Sequence, residues 1–258
     1  MGVNQAHIDQ LRDEGYFLLE GVISGQDLAG LRAECQTSLE LQRADMERVG
    51  AETLGLSHKD KRYSLPCWHD RSPALASFLF GDRVLDIVAA ALGSEAYLFL
   101  ELFVVKWPKT GIPFAWHQDS GYLLGHPHRP YVSLWCTLDD MSEANGTLYL
   151  LPFSRAGTQQ LVEHTKEKGT NDLVGYRGDD PGVAIRAPQG SILVMSSTLL
   201  HRSGANVTSQ PRRAFLASYS PEPIRARNGQ LWNLAVPCIQ GGQRVVAINS
   251  QTGAGSQT

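Results

Sequence analysis

The 258-residue sequence predicts a mostly β protein with flanking helices, built as an antiparallel sandwich or barrel such as a jelly roll. After residue 95 the chain consists of short segments rich in β-branched and aromatic residues, bounded by Gly, Pro, Asn or Asp. No helical segments of about 10–15 residues alternate with them, which disfavours a parallel doubly wound sheet. Helical patterns are confined to the first part of the chain, where the helices can pack on the outer face of a sheet.

Residues 1–95 are predicted to be mainly helical support for that sheet. Leu11 lies in a first helix, and "YFLLEGVI" after it predicts a short strand. The segment "SPALASFLFGDRVLDIVAAALGSE" predicts one or two helices that end at Gly93. Between them Ser24 can cap a long helix, because apolar residues follow it at roughly helical spacing: Leu28, Leu31, Cys35, Leu39 and Met46.

Residues 96–220 are predicted to form the jelly-roll core. Its strands are expected in "AYLFLELFVVKW", "YVSLWCTLDD", "GTLYLLP", "GVAIRAP", "GSILVMSSTLLH" and "RRAFLASYS". Residues 153–181 are polar and carry few strand signals, so we expect an inserted lid or binding loop there. Residues 249–258 predict a flexible tail, and residues 221–248 match no predicted element. The chain, 1–258, is expected to form one domain.

Composition excludes several classes of function. The formal net charge is -3 with no run of Lys or Arg, so no nucleic-acid partner is expected. The four cysteines are far apart and form no CxxC, which disfavours a structural zinc site and favours a reduced, cytoplasmic protein. The N-terminus lacks the apolar core of a signal peptide, and no apolar run approaches ~18 residues, so no membrane partner is expected. Monomer and homodimer both remain open.

A pair of metal-ligating residues stands in "AWHQDSGY", residues 115–122. On a strand, His117 and Asp119 would point to the same face. His201 is the best third ligand, because it follows the apolar run "GSILVMSSTLL" and precedes the turn "RSGAN". Two histidines and one carboxylate form the facial triad of non-haem Fe(II) oxygenases, which leaves positions open for a cosubstrate and O₂. Zinc would accept the same ligands.

Arg212 follows at the head of the strand "RRAFLASYS". An arginine that points into a barrel needs an anionic partner, since an unpaired buried charge is costly. A dicarboxylate cosubstrate supplies one, because its far carboxylate can pair bidentately with the guanidinium. Ser203 can add a hydroxyl donor to the same carboxylate.

Each of these features also has an ordinary structural interpretation. His117 and Asp119 can form a polar turn, His201 can be a satisfied core histidine, and Arg212 can lie on a solvated strand edge. Their combination favours the oxygenase site. A non-catalytic ligand-binding β-barrel and a zinc hydrolase of cupin-like fold stay open as alternatives, although the hydrolase leaves Arg212 unexplained.

The motifs "HQD" at 117–119 and "HRSGAN" at 201–206, followed by Arg212, resemble the phytanoyl-CoA dioxygenase family of Fe(II)/2-oxoglutarate-dependent oxygenases. The segment "LWCTLDDMSEANGTLYLLPFS" between them is similar to the strand–turn–strand of that family. The resemblance implies a double-stranded β-helix and iron ligation by His117, Asp119 and His201. It also implies that 2-oxoglutarate and O₂ are consumed, that succinate and CO₂ are released, and that an unactivated C–H bond is hydroxylated. The residues that would bind 2-oxoglutarate are Arg212, Ser203, Trp135 and Phe99.

The substrate is expected to be a small or medium-sized metabolite with a polar handle. Strand parity puts Glu101 and Phe103 on the same face as Phe99, where Glu101 could hold a cationic or hydroxylated group. The other candidate contacts are Arg62, in the segment before the strands, and Trp116 and Gln118, next to the metal motif. Desaturation, cyclisation and epimerisation stay open beside hydroxylation, because substrate placement decides among them.

Overall fold

The structure is a computed structural model that describes residues 2–123 and 125–245. Its helices are α1 (Gln5–Glu14), α2 (Gly25–Arg48), α3 (Pro73–Leu79), α4 (Asp82–Leu92) and α5 (Phe153–Ala156). Its strands are β1 (Tyr16–Leu19), β2 (Thr53–Leu54), β3 (Ser57–His58), β4 (Arg62–Pro66), β5 (Ala96–Lys106), β6 (Phe114–His117), β7 (Val132–Thr137), β8 (Leu148–Leu151), β9 (Thr165–Lys166), β10 (Leu173–Val174), β11 (Val183–Ala184), β12 (Ile192–Ser196), β13 (Leu200–Ser203), β14 (Arg212–Ser220), β15 (Val236–Gln240) and β16 (Gln243–Arg244). The predicted class, mostly β with helices, is confirmed.

Two boundaries of the N-terminal helices lie where the sequence predicts them. The hydroxyl of Ser24 accepts a hydrogen bond from the Asp27 backbone N–H and caps α2, whose buried residues are the five predicted apolar positions. The segment after Ser72 forms two helices, and α4 ends at Gly93. The helices pack on one face of the larger sheet, in a core that includes Leu31 of α2 and Phe103 of β5.

Within the described residues the larger sheet runs in the order β1-β12-β7-β14-β5-β4-β3-β2, with β15 paired to the start of β5 and β16 paired to β15. A smaller sheet runs in the order β11-β8-β13-β6. The inner faces of the two sheets meet in a second core that joins Trp135 and Met195 of the larger sheet to Leu148 and Leu150 of the smaller one. The cavity described below lies between them.

Two parts of the sheet were not predicted. Strands β2–β4 lie in the stretch predicted to be helical, where β4 pairs with β5. Strand β15, in the segment 221–248 that matched no element, pairs with Ala96–Leu98 of β5. Both are short additions whose stability comes from pairing with β5 and not from a periodic pattern of their own. The predicted tail, residues 249–258, lies outside the described residues.

The run "GSILVMSSTLLH", predicted as one strand, is two strands in different sheets. Strand β12 ends at Ser196 and belongs to the larger sheet, and β13 begins at Leu200 in the smaller one. Ser197 donates its backbone N–H to the carbonyl of Tyr131 at 2.9 Å, which holds the turn between them. Because the chain crosses between the sheets here, His201 lies on β13 of the smaller sheet, beside His117 of β6.

A β-bulge interrupts β5 opposite Ser218 and Tyr219. Ser218 pairs with Leu100 and Tyr219 with Leu98, so Phe99 is the extra residue. Side chains before and after the bulge therefore follow opposite parity. Leu100, Leu102 and Val104 face the cavity together with Phe99.

The inserted segment 153–181 contains α5 and the two-stranded sheet of β9 and β10. It is held to the rest of the molecule by backbone and side-chain bonds. The backbone N–H of Gly175 donates to the carbonyl of Trp116 at 2.8 Å, and that of Leu173 donates to the hydroxyl of Tyr122 at 3.1 Å. No helix in residues 2–123 and 125–245 combines the length and apolar character needed to cross a bilayer.

Candidate metal centre and its cavity

His117, Asp119 and His201 come together at the edge of the smaller sheet. His117 is the last residue of β6 and lies directly opposite His201 of β13, while Asp119 begins the short 3-10 turn after β6. The Nε2 atoms of His117 and His201 lie 4.0 and 3.6 Å from Asp119 Oδ1. One ligand atom from each residue lies within 4.8 Å of the others, close enough for all three to bind one metal ion.

Each histidine is oriented by a hydrogen bond to the backbone carbonyl two residues before it. Nδ1 of His117 donates to the carbonyl of Ala115 at 2.8 Å, and Nδ1 of His201 donates to the carbonyl of Leu199 at 3.0 Å. Because a carbonyl only accepts, Nε2 of each ring is left as a free electron-pair donor. Burial, reinforced by the neighbouring His201, holds the pKa of His117 well below its usual value, so the ring is neutral as metal binding requires.

The Asp119 carboxylate is held by a buried hydroxyl. Ser133 of β7 donates to Asp119 Oδ2 at 2.6 Å, and its Oγ lies 3.0 Å from Oγ of Ser218 on β14. This contact fixes one carboxylate oxygen and leaves Oδ1 facing the two histidines. The sequence contained no signal for it, since Ser133 is an ordinary small residue in a buried strand.

A cavity of about 330 Å³ opens between the two sheets at this centre. Its lining is largely apolar and aromatic. The predicted residues that line it are the three metal-site residues together with Arg212, Ser203, Trp135, Phe99 and Arg62.

Arg212 is buried with only part of its guanidinium satisfied. Its Nη2 donates to the carbonyl of Gly146, whereas Nε and Nη1 have no partner among the described residues. Its Cζ lies 5.5 Å from the centre of the Trp135 ring. Burial lowers the pKa of Arg212 to about 10, which leaves the group charged at neutral pH. Two unpartnered N–H groups on a buried cation fit a carboxylate, the group that 2-oxoglutarate offers.

Gly146, whose carbonyl accepts the Arg212 bond, lies in the turn of the strand–turn–strand segment "LWCTLDDMSEANGTLYLLPFS". Its φ is +80°, and a Cβ there would lie 2.5 Å from the carbonyl oxygen of Gly204. Any other residue at this position would displace the turn, and with it the carbonyl that accepts the Arg212 hydrogen bond.

Arg62 lines the cavity but is already paired. Its Nη1 and Nη2 donate to Asp172 Oδ2 and Oδ1 at 2.9 and 2.5 Å, and its guanidinium lies 4.1 Å from the Phe114 ring centre. Asp172 belongs to the inserted segment, 110 residues along the chain. Sequence reasoning did not identify Asp172, because nothing local links it to Arg62.

Glu101 and Phe103 do not line the cavity, which corrects the parity prediction. The bulge at Phe99 turns both toward the helical layer. There Glu101 Oε1 accepts from the backbone N–H of His69 at 2.8 Å and lies 2.9 Å from Nδ1 of the same residue. Phe103 packs against Phe215 in the helix-facing core.

Trp116 and Gln118 also lie away from the cavity, because they alternate with His117. Trp116 packs edge-on against Tyr176. Gln118 Nε2 donates to the carbonyls of Gln160 and Thr198 at 2.9 and 2.6 Å, and its Oε1 accepts from the backbone of Val162. Gln118 therefore holds the inserted segment in place and makes no contact with the cavity.

An aromatic cluster at the cavity was not predicted. Phe99 stands edge-on to Tyr131 at 4.7 Å and to Trp232 at 6.1 Å between ring centres, with Leu123 and Ile224 packed beside them. Trp232 comes from the segment after β14, which has no hydrophobic periodicity from which its position could be predicted.

The ligand geometry and the orphaned guanidinium match a known enzyme family. The sequence model of the phytanoyl-CoA dioxygenase family matches residues 11–214. The chain belongs to the phytanoyl-CoA dioxygenase family. It is an Fe(II)/2-oxoglutarate-dependent oxygenase, and the predicted enzyme class, iron and cosubstrate are confirmed.

Relatives of this family member cover most of its length. The probable alpha-ketoglutarate-dependent hypophosphite dioxygenase of Stutzerimonas stutzeri is 26% identical over 225 residues, which cover 81% of this chain and 75% of that protein. Apo ThoJ, a non-heme monooxygenase, has a TM-score of 0.70 at 22% identity and covers 92% of this chain and 86% of its own. SnoN, an epimerase solved with Fe3+, alpha ketoglutarate and nogalamycin RO, has a TM-score of 0.68 at 18% identity. The match covers 86% of this chain and 85% of SnoN. At these identities the two structures establish the fold.

Proposed function

We propose that this enzyme hydroxylates an unactivated C–H bond of a small or medium-sized metabolite and releases succinate and CO₂. The observation that carries the proposal is the half-satisfied guanidinium of Arg212, which lies in the same cavity as the His117, Asp119 and His201 cluster. A zinc hydrolase gives that buried cation no partner, and a passive binding barrel has no use for the three metal ligands beside it.

In this proposal His117, Asp119 and His201 hold Fe(II). Arg212 holds the distal carboxylate of 2-oxoglutarate with help from Ser203, and Trp135 forms the wall beside Arg212. When bound, iron and 2-oxoglutarate supply the oxidising chemistry with O₂. The protein orients the target C–H bond and excludes stray water, which the apolar lining of the cavity favours.

The two facing sheets are, in this proposal, the double-stranded β-helix of the family. The inserted segment 153–181 acts as the lid on one side of the cavity, fastened by Asp172 to Arg62 and by Leu173 to Tyr122. The single-domain organisation expected from the sequence remains a prediction.

The reaction outcome depends on where the substrate places its C–H bonds. Desaturation, cyclisation and epimerisation use the same cofactors, and SnoN is described as an epimerase. Hydroxylation is proposed here because it needs nothing in the cavity beyond iron, 2-oxoglutarate, O₂ and a well-placed C–H bond. Hypophosphite is not proposed as the substrate, since most of the cavity wall is apolar.

The test is anaerobic visible absorption of the apo-enzyme after addition of Fe(II) and then 2-oxoglutarate. We expect a weak charge-transfer band that appears only with both, and no band in His117→Ala, which keeps the fold but loses a ligand. His7→Ala, in the first helix and outside the cavity, is the matched control and keeps the band. Tight zinc binding with no band for wild type would overturn the proposal.

Product mass then separates the outcomes. Succinate release identifies a substrate, hydroxylation adds one oxygen atom, desaturation or cyclisation removes two hydrogens, and epimerisation leaves the mass unchanged.

A further inference from the structure

The charges inside the cavity determine what kind of substrate it can accept. Among the described lining residues, the acidic and basic side chains other than histidine are Arg62, Asp119 and Arg212. Arg62 is 1% exposed and its charge is balanced by Asp172. In the proposed function, Arg212 is balanced by the distal carboxylate of 2-oxoglutarate, and Asp119 faces the metal. Once the cofactors are bound, none of these charges is left without a partner.

The nearest buried amine does not change this balance. Lys106 Nζ donates to the carbonyls of Ile112, at 2.7 Å, and Gly204, and it is not among the cavity-lining residues. Burial, with smaller contributions from Arg212 and Arg62, holds the pKa of Lys106 well below its usual value. Its two carbonyl partners and its place outside the lining keep this amine from pairing with a substrate.

A charged substrate would therefore enter without a counter-ion, and an unpaired charge in a buried site is costly. Glu101, the residue expected to hold a cationic group, points to the opposite face of β5. Asp119, the acidic side chain among the described lining residues, faces the metal and does not take its place.

The aromatic cluster shows what the cavity offers instead. Phe99, Tyr131 and Trp232 present ring faces and edges, and Leu100, Leu102 and Leu123 complete an apolar wall. Trp232 lies beyond residue 214, where the family match ends, whereas the other residues of this wall lie within it. Such surfaces bind flat apolar rings through burial and edge-to-face contacts.

We propose, on the basis of the function proposed above, that the substrate is an electrically neutral molecule with an apolar ring that packs on Phe99, Tyr131 and Trp232. Arg62 is a structural partner of Asp172 in this view and does not recognise a substrate anion. Trp232 is a specificity-determining residue.

The test uses three probes with one ring system and different charge: 2-naphthamide, 2-naphthoate and 2-naphthylmethylammonium. Each is titrated calorimetrically into enzyme loaded with Zn(II) and saturated with 2-oxoglutarate, so that no turnover occurs. We expect the neutral amide to bind about tenfold or more tightly than either ion. Equal or tighter binding of an ion, or no binding of any probe, would overturn the proposal.

Variants separate the two parts of the argument. Trp232→Ala should weaken amide binding by roughly tenfold, whereas Trp68→Ala, at a tryptophan that is 49% exposed and outside the cavity, should not. Asp172→Asn leaves the charge of Arg62 without its counter-ion. The ratio of the naphthoate Kd to the amide Kd should therefore fall by about tenfold. Unchanged probe binding in Trp232→Ala would count against the aromatic site.

The preceding titration of 2-oxoglutarate into the Zn(II) enzyme reports on the proposed function separately. Failure of 2-oxoglutarate to bind would defeat that function, whereas 2-oxoglutarate binding with no preference for the neutral probe would defeat only the substrate inference.

Discussion

Arg212 is the buried side chain that gains most from a ligand, because two of its N–H donors have no partner among the described residues. We predict that Arg212→Ala weakens 2-oxoglutarate binding by about 2–5 kcal/mol, the usual cost of removing one partner of a buried charge pair. That corresponds to roughly thirtyfold or more in Kd. Calorimetric titration of the Zn(II) enzyme measures it, and zinc affinity should not change.

Arg213→Ala is the matched control for that prediction. Arg213 is the next residue on β14, but its side chain pairs with Asp139 at 2.6 Å, outside the cavity. It should bind 2-oxoglutarate as wild type does. Equal losses in both variants would show that the strand, and not the orphaned guanidinium, determines affinity.

Ser133 is a positioning residue, since it acts on the metal through Asp119. We predict that Ser133→Ala lowers metal affinity by about 10–100-fold, as loss of a hydrogen bond to a ligand usually does. Ser218→Ala, which removes only the neighbour of Ser133, should lower it much less. Competition with a zinc chelator measures both, and equal unfolding midpoints would show that the difference is not one of stability. The idea fails if the two variants bind zinc alike.

Residue spacing was enough to identify the metal centre but not the contacts that orient it. His117 and Asp119 are near neighbours in sequence, and His201 and Arg212 follow apolar or strand-forming runs that fix where they lie. Ser133 meets Asp119 through the pairing of distant strands, so no local pattern indicates it.

Among the elements, β5 shows how a single inserted residue defeats a sound rule. Alternation along a strand is reliable only while the register is unbroken, and the bulge at Phe99 shifts every later side chain by one. Glu101 was expected in the cavity for this reason and lies behind the sheet. The position of the bulge is set by the pairing of β5 with β14, so the sequence of β5 alone does not reveal it.

The inserted segment is fastened by the buried pair of Arg62 and Asp172, which are 1% and 7% exposed. We predict that Asp172→Ala lowers the free energy of unfolding by about 3–5 kcal/mol, because Arg62 is left buried and unpaired. The double variant Arg62→Met/Asp172→Leu should recover most of that loss. Urea denaturation of the wild type and of both variants measures these differences.

Glu167→Ala provides the control on the same segment. Glu167 pairs with Arg177 at 3.5 Å, but both are exposed, so its loss should cost no more than about 1 kcal/mol. A small effect of Asp172→Ala, or a double variant as unstable as the single one, would contradict the assigned role of the buried pair.

At the scale of the whole molecule, the helical layer and the long strands β5, β7, β12 and β14 could be predicted from the sequence, as could the cap at Ser24 and the end of α4 at Gly93. The strands β2–β4 and β15 could not, because they are too short to carry a pattern and are stabilised by pairing with β5. The aromatic wall escaped prediction for the same reason: Trp232 is positioned by the fold around it and not by its own segment.

The helical layer and the sheet are also joined by His69 and Glu101, and this contact makes stability depend on pH. The hydrogen bond that His69 Nδ1 donates to Glu101 Oε1 raises the pKa of His69 against the opposing effect of burial. A raised pKa in the folded state stabilises fully below the unfolded value of about 6.5, and that contribution is lost as pH rises through the raised value. We predict that the wild-type free energy of unfolding falls over this interval more steeply than that of Glu101→Gln or His69→Asn.

Urea unfolding at closely spaced pH values from about 5.5 to 9 measures that difference. Both variants keep the other seven of the eight histidines and all of the acidic groups that wild type has elsewhere, so their curves serve as the baseline. The difference between wild type and either variant should be largest at the acidic end and shrink as His69 loses its proton. Parallel curves over the whole range would mean that Glu101 does not hold His69 in its charged form, and that the bond joining sheet and helices is between neutral groups.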